Sequence, residues 1–145
     1  MTFRIDILDE LIAALNASLP VDIPGATKRR WIPGTPIRQP AIAVFLFNED
    51  ADRRNKDWPV TRRSARYVVQ CLIPCDEPDD MDGAIEPLLA HVVARLGALH
   101  SAKIMDTQEL NTKWEFGQAD KIYVAASIVF NVDYQTNRTD TSKQS

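Results

Sequence analysis

The chain has 145 residues, of which 45% are hydrophobic and 26% are charged, and its formal net charge is -3. This length and apolar fraction are typical of one globular domain with one core, and the acidic balance argues against a dedicated nucleic-acid-binding protein. The longest apolar run, from Ala41 to Phe47, is far shorter than the roughly 20 residues of a membrane-spanning helix. Because the start is amphipathic and acidic, we expect a soluble protein without a cleaved signal peptide.

The first predicted element is an amphipathic helix. Asp6 is a suitable N-cap, because its carboxylate can accept hydrogen bonds from the free N–H groups of a first turn. Pro20 is expected to end the helix. Its apolar residues recur at helical spacing and are Leu8, Leu11, Ile12, Leu15 and Leu19.

A proline-rich segment from Pro20 to Pro40 follows the helix. We expect it to be extended and irregular, since proline lacks a backbone donor and restricts the residue before it. The basic stretch from Lys28 to Trp31 has two interpretations: a docking patch for a partner, or a solvated loop with one aromatic anchor.

The next two predicted elements are a buried strand and a charged loop. The strand is the run from Ala41 to Phe47, and its two apolar faces predict cover on both sides of the sheet. Residues 48–60 are too rich in charge for a core element, so they predict a long hairpin loop or arm. Such a loop either contacts a partner or solubilises the domain.

A further strand and a second helix come next. Residues 63–73 predict the strand, and Pro74 is expected to end it. An acidic turn leads into a helix from Met81 to Leu99, in which Pro87 must lie near the first turns to avoid a kink. The apolar stripe of this helix is Ile85, Leu88, Leu89, Val92, Val93, Leu96 and Leu99.

The last predicted elements form a hairpin. Residues 104–116 alternate imperfectly and predict a weaker strand, and residues 117–120 predict a turn. The strand from Lys121 to Tyr134 alternates cleanly, so its apolar even positions are expected to face the core and its odd positions the outer surface. Residues 135–145 are polar and predict a flexible tail.

These elements together predict an α+β fold. Two helices are expected to pack on one face of a four-stranded sheet that is largely antiparallel or mixed. Residues 1–134 form the predicted single domain, and residues 135–145 are the tail.

The sequence contains no recognisable catalytic motif. His91 and His100 would fall on opposite faces of one helix, so we interpret both as helix-surface residues. Cys71 and Cys75 lack the spacing of a redox motif and are too few for a zinc site, which favours ordinary thiols, with a disulfide as the alternative. The glycines form no phosphate-binding loop. We therefore predict a non-enzymatic protein that binds neither a metal nor a cofactor.

Three segments carry a family pattern: "RSARYVVQCLIPC", "MDGAIEPLLAHVVARL" after an acidic turn, and "FGQADKIYVAASIVFNVDYQT". In order and side-chain type they resemble the tail-terminator proteins of long-tailed phages, a tail-completion family that includes minor tail protein U. With the leading helix, the resemblance covers most of the chain from Asp6 to Thr136, and the last strand ends in the pair Asp133 and Tyr134. The proline-rich segment and the loop of residues 48–60 match no part of the family pattern.

The resemblance implies a structural virion protein. Members of the family cap the tail tube as a ring, commonly of six subunits, which terminates tube polymerisation and provides the head-joining surface. The implied partners are further copies of the chain, the tail tube protein and a head–tail connector or neck protein, without a membrane. DNA would pass through the ring without specific binding, which the acidic balance suits. The implied location is the head-proximal end of the virion tail, after assembly in the host cytoplasm.

Two alternatives remain: another head–tail joining or neck protein, and a small α+β ligand-binding domain or enzyme. For contacts within a ring or with a partner we single out the two charged loops, since tryptophan and arginine often anchor interfaces. The candidate interface residues are Lys28, Arg29, Arg30, Trp31, Arg53, Arg54, Lys56, Asp57 and Trp58.

Overall fold

Two helices lie on one face of a five-stranded sheet in the computed structural model, which describes residues 3–32, 35–52, 60–97, 99–118 and 122–137. The predicted α+β class is confirmed. The sheet has one strand more than predicted, because two residues of the proline-rich segment pair with it. The elements are α1 (Phe3–Asn16), β1 (Ala26–Thr27), β2 (Ala41–Asp52), β3 (Val60–Cys75), α2 (Met81–Leu96), β4 (Asp106–Gln118) and β5 (Ile122–Asn137).

The strands are arranged in the order β1-β2-β3-β5-β4. β1 runs parallel to β2, and every other neighbouring pair is antiparallel. The last strand, β5, therefore lies inside the sheet between β3 and β4. One edge of the sheet is β4, and the other is β1 together with the length of β2 that β1 leaves unpaired.

The main core lies between the helices and the sheet. α1 packs over β2, and α2 packs over β3 and β5. The even positions of β5 face this core, as the alternation predicts. These buried residues are Val124, Ala126, Ile128, Phe130, Val132 and Tyr134.

α1 differs from its prediction at both ends. It begins at Phe3, so Asp6 lies inside the helix and is not its N-cap, and the Asp6 carboxylate instead pairs with the Lys103 ammonium at 3.4 Å. It ends at Asn16, whose side chain accepts a hydrogen bond from the Ala26 N–H (2.7 Å) and donates one to the Ala26 carbonyl (3.2 Å). This side chain ties β1 to the end of α1.

α2 satisfies the carbonyl groups at the C-terminal end of α1. The interpretation of His91 as a surface residue was wrong: it is buried, and its Nε2–H donates to the Leu15 carbonyl at 2.9 Å. One turn later, Arg95 donates to the carbonyls of Ala17 and Ser18. A helix leaves its last carbonyls without intrahelical partners, so His91 caps α1 at Leu15, while Arg95 binds the two residues that follow its end. Both contacts fix α2 beside α1.

Part of the predicted charged loop belongs to strands, because β2 continues to Asp52 and β3 starts at Val60. Residues 53–59 lie outside the described residues. A β-bulge between Leu46 and Asn48 leaves Phe47 67% exposed, so the expected cover on both faces holds only for residues 42–44.

The remaining boundaries shift by a few residues. α2 ends at Leu96 rather than Leu99. β4 spans Asp106–Gln118, and a bulge between Glu109 and Asn111 explains its imperfect alternation. β5 continues to Asn137, into the predicted tail, and residues 138–145 lie outside the described part of the chain.

Candidate assembly surfaces

The basic stretch from Lys28 to Trp31 wraps around the β1–β2 edge and does not form one patch. The Lys28 ammonium pairs with the Asp9 carboxylate of α1 at 2.7 Å, on the helix side of the sheet. The Arg30 guanidinium lies 4.3 Å from the centre of the Phe45 ring and donates to the Leu46 carbonyl at 3.1 Å. Arg29 is exposed between them.

Trp31 is an aromatic anchor, which agrees with the second interpretation of this stretch. Its Nε1–H donates to the Thr35 carbonyl at 2.9 Å, and its ring meets the Tyr123 ring edge-on at 5.2 Å. Trp31 packs there on a small second cluster on the outer face of the sheet, formed by Ile37, Leu72, Tyr123 and Ala125. Tyr123 and Ala125 thus lie on the outer face, as expected for odd positions of β5, but they are buried there because the proline-rich segment covers them.

A cleft of about 600 Å³ opens between the proline-rich segment and the β1–β2 edge. Its walls are mixed, and their apolar residues include Pro36, Ile37 and Leu72. Among the described residues, three arginines and no carboxylate line it. We call it the edge cleft, and its arginines are Arg29, Arg30 and Arg38.

The opposite edge of the sheet carries two protruding aromatic side chains. Trp114 and Phe116 of β4 are 49% and 51% exposed, although they point to the same face of the sheet as the core. They remain uncovered because α2 is centred over β3 and β5. Asp82 and Glu86 of α2 flank them around a shallow space of about 400 Å³. We call these four residues the aromatic ledge.

A buried charge network closes the end of the core where β2 finishes. The Glu49 carboxylate is only 12% exposed and accepts hydrogen bonds from Arg4 (2.7 and 2.9 Å), Arg63 (3.1 Å) and the Tyr134 hydroxyl. Arg63, which is 7% exposed, also donates to the Thr136 hydroxyl at 2.8 Å. The network joins α1, β2, β3 and β5 at the base of residues 53–59.

The network keeps Glu49 ionised. Burial by itself raises the pKa of this carboxyl, but the hydrogen bonds from Arg4 and Tyr134 and the charges of Arg4 and Arg63 outweigh burial, so the pKa lies below its ordinary value. The hydrogen bond to Glu49 in turn raises the pKa of Arg4. A carboxylate held ionised in this way suits the centre of an ion-pair network and not a general acid at neutral pH.

The described residues also include histidines, cysteines and carboxylates that could support other chemistry. No group of three or more His, Cys, Asp or Glu side chains there is arranged to hold a metal ion. Cys71 and Cys75 are buried free thiols, and burial raises the pKa of Cys71 to about 12. Neither of the two helices combines the length and the apolar content needed to cross a bilayer.

The predicted interface residues are thus only partly located. Lys28, Arg29, Arg30 and Trp31 lie at the β1–β2 edge, and Arg53, Arg54, Lys56, Asp57 and Trp58 fall outside the described residues. Sequence reasoning missed the aromatic ledge and the role of Glu49. One signal was present for the ledge: Trp114 and Phe116 are two residues apart and share a face of one strand.

Comparison with known proteins shows similarity at the level of fold. No protein-family model matches the chain, and no curated protein matches it. A chain of the virion of a native gene transfer agent particle superposes with a TM-score of 0.53 at 15% identity, covering 86% of this chain and 84% of that one. The sheath/tube terminator of an extracellular contractile injection system, PVC, in its extended state superposes with a TM-score of 0.51 at 14% identity. That match covers 97% of this chain and 60% of the terminator. At these identities the likeness shows a shared fold.

Proposed function

We propose that this protein is a tail terminator: a ring that caps the tail tube, stops tube polymerisation and provides the surface to which the head joins. The observation that carries the proposal is the fold shared with a sheath/tube terminator over 97% of this chain. The resemblance of the segments from Arg63 to Thr136 to phage tail terminators supports it independently.

The proposed protein is structural and non-enzymatic. Its partners are further copies of itself in a ring, with six as the expected number, the tail tube protein and a connector or neck protein. DNA passes through the ring without specific binding. The protein assembles in the host cytoplasm and resides at the head-proximal end of the virion tail.

The loop containing Arg53, Arg54, Lys56, Asp57 and Trp58 is proposed to contact the tube or the head. The ion pair of Glu49 with Arg63 ties together β2 and β3, the strands that flank residues 53–59. The double variant Arg53→Glu/Arg54→Glu should therefore keep its unfolding midpoint and impair assembly with the tube or the head. Normal assembly of the double variant would remove the loop from the interface.

The proposal is tested by making particles with and without the chain and measuring tail length and head attachment by electron microscopy. We expect tails of irregular length without heads when the chain is missing, and recovery of both properties when it is supplied. Tails of normal length that fail to join heads would instead indicate a neck protein. Normal length together with normal joining would contradict both functions.

A further inference from the structure

The edge cleft and the aromatic ledge lie at opposite edges of one sheet. The cleft borders β1 and β2, and the ledge is carried by β4, with β3 and β5 between them. We infer that the aromatic ledge of one copy docks in the edge cleft of the next copy, so that neighbouring subunits meet head to tail. This inference rests on the proposed ring, whereas the two surfaces are identified from the structure of one chain.

The two surfaces have opposite charge. Arg29 and Arg30 line the cleft, and no carboxylate of the described residues contributes to the lining. Asp82 and Glu86 flank the ledge, where no described basic residue contributes. Arg29, Asp82 and Glu86 are all exposed, so they are available to a partner. Opposite potentials of this kind favour encounter in one orientation and disfavour others.

The two surfaces also match in size, since one offers protruding aromatic side chains and the other a cleft. Trp114 and Phe116 protrude from the ledge with about half of each side chain exposed. The cleft has a volume of about 600 Å³, and its mixed lining includes an apolar part formed by residues such as Pro36, Ile37 and Leu72. Large aromatic side chains that enter apolar pockets are the usual anchors of protein interfaces.

Charge also decides which two surfaces meet. A symmetric contact of ledge with ledge would bring Asp82 and Glu86 of two copies together, and cleft with cleft would bring arginines together. Like charges at close range are costly in an interface, so both symmetric contacts are disfavoured. The head-to-tail contact pairs opposite charges, and repetition of such a contact closes into a ring when the rotation between subunits allows it.

The occupant of the cleft is therefore a second copy of this chain. One chain carries both halves of the contact on opposite edges, so each subunit has one donor surface and one acceptor surface. This arrangement is what a ring of identical subunits needs. The sheet of one subunit would then lie beside the sheet of the next around the ring.

The inference is tested by charge reversal and rescue. Arg29→Glu and Glu86→Lys each place like charges in the proposed contact, and the double variant restores opposite charges in reversed order. Light scattering over a concentration series, at low ionic strength, measures the concentration of half-association. Arg62→Glu is the matched control, because Arg62 is an exposed arginine of β3 that lines neither surface.

We expect each single reversal to raise the concentration of half-association by about tenfold or more, and the double variant to recover most of that loss. Trp114→Ala should weaken association to a similar degree with no rescue by charge, and Arg62→Glu should leave it unchanged. Wild-type protein that stays monomeric, single reversals without effect, or a double variant no better than the singles would each overturn the inference.

The outcomes separate this inference from the proposed function. Rings that respond to the reversals as expected but fail to restore tail length would leave the contact standing and contradict the terminator. Rings that restore tail length but are unaffected by every charge reversal would support the terminator function and contradict the proposed contact.

Discussion

The two ends of the sheet are stabilised in opposite ways. Where β2 finishes, the buried carboxylate of Glu49 is held by Arg4, Arg63 and Tyr134 on the helix face. Where β2 begins, Trp31 packs on apolar residues of the outer face, with its ring against Tyr123. The first end depends on complete pairing of charges, and the second depends on apolar contact area. Removing one side chain should therefore cause a large loss in the free energy of unfolding at the charged end. At the aromatic end the loss should scale with the contact area removed.

The largest effect is expected from Glu49→Ala. This change leaves the buried Arg63 and the half-buried Arg4 without their carboxylate, and removing one partner of a buried ion pair costs about 3–5 kcal/mol. Urea unfolding should show a loss of that size in the free energy of unfolding.

The neighbouring residue provides the control for Glu49→Ala. Asp50 points to the other face, where it pairs with Arg66 while its own side chain is largely exposed. Asp50→Ala should cost less than about 1 kcal/mol. Equal losses for the two variants would show that the Glu49 network is not buried in solution.

A smaller effect is expected from Trp31→Ala. The variant loses the contacts of a partly buried indole and its edge-on contact with Tyr123, which together are worth about 1–3 kcal/mol. Trp31→Phe should keep part of this stability, because a phenyl ring retains part of the contact area. If thermal and urea unfolding of Trp31→Ala match the wild type, Trp31 does not anchor the proline-rich segment.

The two ends should also respond differently to acid. Because the folded pKa of Glu49 lies below its ordinary value of 4.5, the unfolded chain binds the proton first as the pH falls. The network's contribution is therefore present above pH 4.5 and is lost as the pH falls through the folded pKa. The free energy of unfolding of Glu49→Gln should lack this loss of stability at low pH, whereas that of Trp31→Phe should retain it. If the free energy of unfolding fell equally with pH in both variants, Glu49 would not be the source of the acid sensitivity.

The smallest effect is expected from Lys28→Ala. Lys28 pairs with Asp9, but both side chains are about half exposed, so the pair should contribute less than about 0.5 kcal/mol to the free energy of unfolding. Its ammonium is also directed to α1 and away from the edge cleft, so the concentration of half-association should not change. If Lys28→Ala clearly weakened association, Lys28 would be an interface residue after all.

The aliphatic core was predictable from sequence, and the charged core was not. Even positions of β5 and the apolar stripe of α1 face the core because strand and helix periodicity follow directly from backbone geometry. Glu49 was assigned to a loop because its neighbours are charged. In the structure, the bulge after Leu46 reverses the alternation of β2, so Glu49 lies opposite Ala65 and points inward. The pattern of β2 alone does not reveal a bulge.

The aromatic ledge could not be predicted from sequence because a β-bulge also interrupts β4. A bulge in β4 switches the face of the strand, and only after it do Trp114 and Phe116 share the face of the core. Their exposure depends in addition on where α2 crosses the sheet, which is a tertiary property. An aromatic anchor was one of two interpretations of the stretch that contains Trp31. Its partner Tyr123 was assigned to the outer surface, since strand periodicity does not reveal what covers a face.

The central claim is tested most directly by locating the chain in an assembled particle by cryo-electron microscopy. The account predicts a single ring of this chain at the head-proximal end of the tail tube, with the aromatic ledge of each subunit seated in the edge cleft of its neighbour. Copies distributed along the tube, or no copy at its head-proximal end, would contradict the account.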